Sequence, residues 1–311
     1  MRQVNIMRHS FRKRVFTHRT LLLMLLPAAL HVILFSYLPM GGVVLAFKQF
    51  QYTLGIWGSP WVGFENFRYF FQSGEAFQVT RNTVLYNLAF IGIVTAAQIT
   101  AAVFLSEIGS KFFKKLTQSV MFLPFFISWV IVGSIVYNIF NFEHGLLNSV
   151  LAWFGAAPVN VYGEPGVWKY LIVFFKLWKE LGYGTVIYLA AIISIDSEMY
   201  DAGKIDGANM FQRIRYIMIP SIMPVIVILF LLSVGQVFRG DFGLFYQLIG
   251  DNGALFAQTD VIDTFVFRSL LRSSEIGMAA AAGFYQSVMC FATILLVNFT
   301  VKRVKDDYAL F

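Results

Sequence analysis

Polar and hydrophobic positions along this chain fall into long blocks, with no fine alternation. Stepping from one Asp, Glu, Lys or Arg to the next leaves uncharged runs at 20–47, 82–106, 116–142, 181–195, 216–238 and 276–301. A helix rises 1.5 Å per residue and the hydrocarbon layer of a bilayer is about 30 Å thick, so roughly 20 residues are needed to cross it. Five of the six runs exceed that length. The run 181–195 holds only 15 residues, and its helix is expected to begin near 175, placing Lys176, Lys179 and Glu180 at the interface with their charges among headgroups. The pattern predicts an all-α, polytopic membrane protein with six transmembrane helices, approximately 20–47, 82–106, 116–142, 175–195, 216–238 and 276–301. They form one domain, 20–301, between an N-terminal segment 1–19 and a tail 302–311.

Two other segments test that count. The run 144–163 is also long enough to cross, but Gly145, Asn148, Ser149, Gly155, Pro158, Asn160 and Gly163 would leave polar groups unsatisfied in lipid. Its Leu146, Leu147, Val150, Leu151 and Phe154 instead make one apolar stripe, which predicts a short interfacial helix. The first crossing follows Arg12, Lys13, Arg14 and Arg19 as a signal peptide would, yet its uncharged stretch continues to Phe47 without a small-x-small cleavage site. Secretory h-regions are about 7–15 residues long. The segment is expected to stay as an anchor.

Composition agrees and charge adds direction. The chain is 58% hydrophobic and 13% charged, where a soluble domain carries about 25% charged residues. With six crossings, one side collects 15 Lys/Arg and 7 Asp/Glu and the other 9 Lys/Arg and 10 Asp/Glu. The basic side is expected to be cytoplasmic, with both termini inside and the protein in the cell membrane. A seventh crossing would put the basic N-terminus and Lys302–Lys305 on opposite faces. A single cysteine, Cys290, leaves no intrachain disulfide and no cysteine zinc site, and four scattered histidines suggest no metal centre. Basic residues are dispersed on membrane flanks without a basic face, so no nucleic-acid partner is expected.

Between the fourth and fifth crossings, 196–220 forms the most informative loop. Asp196 or Ser197 can cap a short helix with Glu198 in its first turn, and Gly207 can end it. A second helix places Phe211, Ile214 and Ile217 on one face, and Pro220 is expected to reset the chain into the fifth crossing. The result is an elbow too short to be a domain and too apolar to be a solvated linker. By periodicity alone it is either packed on its own bundle or a docking helix for a cytoplasmic partner.

The residues favour docking. Permease subunits of ATP-binding-cassette (ABC) importers carry a cytoplasmic EAA motif: Glu-Ala-Ala, three residues, Gly, nine residues, Ile-x-Leu-Pro. This chain resembles it with Asp201-Ala202-Gly203, Gly207 and Ile217-Met218-Ile219-Pro220 at the required offsets. Asp201, Gly203 and Ile219 depart from Glu, Ala and Leu. The wider segment Tyr188–Ala191 through Ile205–Asn209 and Ile219–Ser221 is similar to the carbohydrate branch, particularly permeases for oligosaccharides and polysaccharides. The resemblance implies a coupling helix whose ATPase-docking residues are Tyr200, Asp201, Ala202, Gly203, Asp206, Gly207, Ile217 and Pro220. It also implies two cytoplasmic ATP-binding subunits carrying the ATP and Mg, a second permease subunit, usually an unlike chain, and an extracytoplasmic solute-binding protein. No cofactor or catalytic residue is expected here, since no phosphate-cradling Gly-x-x-x-x-Gly-Lys-Ser/Thr sequence and no hydrolase signature is present.

Polar residues within crossings need a reason. A saccharide path wants aromatic faces and amides, and Tyr137, Asn138, Tyr188, Gln236 and Gln286 fit that chemistry, although interhelical hydrogen bonds alone account for many such residues. An ion-coupled secondary transporter is the alternative. It would show acidic residues at mid-membrane and two related halves; the uncharged runs contain no acids and no repeat is evident. An intramembrane enzyme would need clustered catalytic groups at one face, and Asp241, Asp251, Asp260 and Asp263 lack partners at motif spacing.

Overall fold

A computed structural model describes residues 18–271 and 274–304. The basic cluster Arg12–Arg14 and the tail from Lys305 onward lie outside the described residues. In chain order the main helices are α1 (Arg19–Phe47), α2 (Glu65–Gln72), α3 (Glu75–Glu107), α4 (Lys111–Phe126), α5 (Trp129–Phe140), α6 (Leu146–Trp153), α7 (Pro165–Ile193), α8 (Ser197–Ile205), α9 (Met210–Val234), α10 (Phe242–Ile249), α11 (Ile262–Leu271) and α12 (Ile276–Val304). Among the described residues the only extended pairing is a single antiparallel bridge between Lys48 and Trp61.

Helices α1, α3, α9 and α12 are each long and apolar enough to cross a membrane. Helix α7, with 29 residues, has the length but carries Lys169, Lys176, Lys179 and Glu180. The span expected as one helix over 116–142 is broken: α4 and α5 meet at 93°. Pro124 cannot donate a backbone hydrogen bond, the chain is extended at Ile127, and the Ser128 hydroxyl caps a new helix by accepting from the Ile131 amide at 3.4 Å. The segment 144–163 forms no helix long enough to cross a membrane. It holds the eight-residue α6, with Trp153 and Phe154 exposed.

Three buried clusters hold the bundle. One joins α3, α5, α7 and α10 through Tyr86, Phe90, Val132, Trp168, Ile172, Leu244 and Phe245. A second joins α3, α7 and α9 through Ala102, Leu105, Tyr188, Leu189, Met218 and Ile222. A third packs α2 and α3 on α11 and α12 through Phe70, Val79, Phe265 and Ala282. Helix α1 lies outside them, and only its Leu38–Phe47 end packs closely, against α12.

Helix α7 is central because two glycines let it approach its neighbours. A Cβ on Gly182 would fall 2.2 Å from the Met121 carbonyl oxygen of α4, and one on Gly184 would fall 2.1 Å from the Gln98 side chain of α3. Gly182→Ala is expected to force α4 away and lower stability by about 1–3 kcal/mol. A melting temperature in detergent unchanged from the parent would contradict that packing.

Candidate functional site

Two features stand apart from the packed interior: an elbow at α8–α9 and a polar cleft between crossings. The Asp196 carboxylate caps α8, accepting from the Glu198 amide at 3.0 Å. Helix α8 ends when Gly207 takes φ +73°, letting the Gly207 amide reach the Lys204 carbonyl at 3.0 Å and the Ala208 amide reach the Gly203 carbonyl at 2.8 Å. That paired closure is the Schellman motif, and its left-handed residue favours glycine. Asn209 and Gln212 then start α9 with reciprocal bonds of 3.0 and 2.8 Å. The chain does not reset at Pro220. Helix α9 runs through it, with a π-helical turn at Ile214–Met218 just before, and such wider turns accommodate a missing proline donor.

The docking residues divide by burial. Asp201, Ala202, Asp206, Gly207 and Pro220 are exposed, with Asp201 paired only to Lys204 at 3.0 Å. Gly203 and Ile217 are half-buried against each other: a Cβ on Gly203 would lie 2.9 Å from Ile217 Cδ1, which accounts for glycine where the motif has alanine. Tyr200 packs into the second cluster beside the Arg213–Glu107 pair (3.4 Å), and burial, with Glu107 nearby, pushes its hydroxyl pKa up. Ile205 and Phe211 stand 87% and 80% exposed at the elbow's tip. Apolar side chains so placed form a surface suited to a partner.

The cleft has a volume of about 390 Å³. Helix α3 contributes Asn87, Phe90, Ile91, Val94, Thr95 and Gln98, where a π-helical turn at Phe90–Val94 re-aims side chains; α7 contributes Lys176 and Glu180. The opposite wall is Ser233, Gln236, Arg239, Gly240 and Asp241, in and beyond the last turn of α9, where the helix gives way to turns. That unwound backbone is satisfied by side chains, as it must be near lipid. Asn87 donates to the carbonyls of Val237 (3.0 Å) and Arg239 (3.1 Å), and Gln286 donates to Phe238 (2.9 Å). The Asp263 carboxylate accepts from the Gly240 amide (2.6 Å) and Gln286 (2.7 Å). Burial pushes the Asp263 carboxyl pKa up, against these bonds that pull it down.

Charges placed among headgroups by the hydropathy pattern are instead inside the protein. Lys176 pairs with Glu180 at 2.5 Å and with Asp241 at 3.0 Å. Lys179 is buried, its ammonium donating to the carbonyls of Pro124 (3.3 Å), Phe125 (2.8 Å) and Ile127 at the α4–α5 break, over the rings of Phe125 and Trp129. A cation at a helix C-terminus meets both the free carbonyls and the helix dipole.

The five residues assigned to a substrate path separate. Gln236 lines the cleft, whereas Tyr137 lines a second cavity of about 600 Å³ with Asn141, Glu143, Tyr162 and Gln247. There burial and the neighbouring Tyr137 push the Tyr162 hydroxyl pKa up to about 12. Asn138 donates to Ser134 of its own helix at 2.8 Å, Tyr188 is buried in the second cluster, and Gln286 braces the unwound turn. Sequence reading missed Lys176, Glu180, Arg239 and Asp241 as cleft residues. The four-residue spacing of Lys176 and Glu180 beside an undersized run was the available signal.

A multi-pass membrane bundle with a polar cleft between its crossings and an exposed apolar elbow beside them is the architecture of a transport permease. The chain belongs to the family described as binding-protein-dependent transport system inner membrane component, which it matches over residues 89–306. It is 31% identical over 294 residues, covering 94% of this chain and 91% of the other, to the polygalacturonan/rhamnogalacturonan transport system permease protein YteP of Bacillus subtilis (strain 168). It superposes with a TM-score of 0.86, at 30% identity and over 95% of this chain and 99% of the other, on a bacterial ABC transporter involved in the import of the acidic polysaccharide alginate. A bacterial alginate ABC transporter in complex with an alginate pentasaccharide-bound periplasmic protein gives 0.84 at 29% identity, over 94% and 97% of the two chains. The chain is thus an integral inner-membrane permease subunit of an ABC importer. Glu180 and Asp241, the acids an ion-coupled carrier would need, are both engaged by Lys176.

Proposed function

We propose that this permease forms half of the translocation pathway for an oligosaccharide, which passes along the cleft between α3, α7 and the end of α9. The cleft carries the reading: Gln236 offers its amide, Asn87 and Gln98 offer amide oxygens, and Ser233 offers an accepting hydroxyl to sugar hydroxyls. The names of its relatives, which speak of polygalacturonan, rhamnogalacturonan and alginate, support the same substrate class. In this reading the elbow docks on a separate ATPase subunit that binds ATP and Mg. A second permease completes the pore, a solute-binding protein delivers the sugar to the outer loops, and both termini are cytoplasmic.

The test is reconstitution of this permease with its partner permease, ATPase and binding protein in proteoliposomes. Uptake of labelled oligosaccharides that requires both ATP and the binding protein is expected. Uptake without ATP, or uptake of peptides or ions but no saccharide, would overturn the proposal.

A further inference from the structure

The carboxylates around the cleft are already engaged, and one cation is not. Glu180 and Asp241 both hold Lys176, and Asp241 also caps α10 by accepting from the Leu244 amide at 3.1 Å. Asp263 receives the Gly240 amide and Gln286. Arg239 is fixed only through its backbone, its amide donating to the Gln236 carbonyl at 2.8 Å and its carbonyl accepting from Asn87. Its guanidinium is exposed on the cleft wall and, among the described residues, makes no hydrogen bond or ion pair, although it lies near enough to Asp263 to lower that carboxyl's pKa. An ionised side chain that lines a cleft between crossings with no partner of its own is a candidate ligand contact. Guanidinium presents a planar fork that matches a carboxylate with two parallel hydrogen bonds.

We propose that Arg239 is the specificity-determining residue that receives a substrate carboxylate, so that the transported oligosaccharide carries uronate units. The inference rests on the oligosaccharide reading and narrows it. Among the residues that line the cleft, Lys176 with its two carboxylates leaves one net negative charge, which Arg239 balances, and Asp263 behind the turn is held by the Gly240 amide and Gln286. Replacing Arg239 by a neutral residue removes the guanidinium that lines the cleft and leaves the cleft wall repelling a carboxylate.

The experiment is equilibrium binding to the purified transporter complex without the binding protein, using trigalacturonate and its fully methyl-esterified form, equal in length but uncharged. The parent complex is expected to prefer the free acid by about tenfold or more, the factor that one charge-assisted hydrogen bond of about 1.5–3 kcal/mol supplies. Arg239→Gln should abolish that preference and Arg239→Lys should keep part of it, with unchanged melting temperature showing that both variants are folded. If the ester binds the parent as well as the acid, or if Arg239→Gln keeps the preference, the assignment of Arg239 falls while the oligosaccharide reading stands. Binding of neither form also overturns the assignment of Arg239, and the oligosaccharide reading falls only if the uptake assay fails.

Discussion

Gly207→Asp is expected to abolish transport while the permease still folds and inserts. The separation of these effects follows from the geometry at the end of α8. Gly207 sits at φ +73°, and a Cβ built there meets nothing within 4 Å. Within the chain, then, the substitution meets only backbone strain, and aspartate is among the few residues that visit the left-handed region readily; a typical side chain there costs about 1–2 kcal/mol. Stability therefore changes little. Outside the chain the new carboxylate projects from a surface that already presents Asp201, Asp206 and the exposed Ile205, so it blocks close approach and adds negative charge where an ATPase subunit is proposed to dock. Coupling requires that the partner contact this elbow differently in its two states, and a partner held off the elbow cannot transmit that difference. Uptake in proteoliposomes should fall to background, with ATPase activity no longer stimulated by loaded binding protein. Parental uptake by a fully assembled variant complex would show that the elbow is not the coupling surface.

Much of this was legible in the sequence wherever local chemistry decides. A capping aspartate, a glycine where the chain must turn left-handed, and the block pattern of charges each act within a few residues of themselves. Direction in space is another matter. Residues 116–142 are uncharged on both sides of Ile127, and hydropathy does not distinguish a straight helix from two helices at 93°. Lys176, Lys179 and Glu180 read as headgroup charges because a linear pattern cannot tell lipid from a cavity inside the bundle. Side-chain chemistry alone likewise grouped Tyr188 with Gln236. The fold sends one into a packed cluster and the other to the cleft, because the face of a helix that meets its neighbours is set by where those neighbours lie.

The broken crossing is braced by one buried cation. Lys179→Met is expected to lower stability by about 1–3 kcal/mol, the cost of leaving buried carbonyls without a donor. Three carbonyls, those of Pro124, Phe125 and Ile127, face the ammonium where α4 ends and α5 begins. The Ile127 amide reaches only the Pro124 carbonyl, at 3.2 Å; across the 93° bend the other two rely on the ammonium, and methionine, with nearly the same stem, fills the space without donating to any. The cost is carbonyl desolvation together with loss of the favourable dipole at the α4 terminus, whereas the contacts over Phe125 and Trp129 are partly kept by the thioether. Lys179→Arg keeps the charge and should recover part of the loss, limited by the room available to a wider planar group among the same carbonyls. Because α5 packs on α10 and α10 follows the unwound turn of the cleft, a relaxed bend should also weaken transport beyond what the fraction of folded protein explains. Melting temperatures in detergent, read beside uptake normalised to folded complex, test both halves: parental stability in Lys179→Met would mean that the bend is held by packing and not by the lysine.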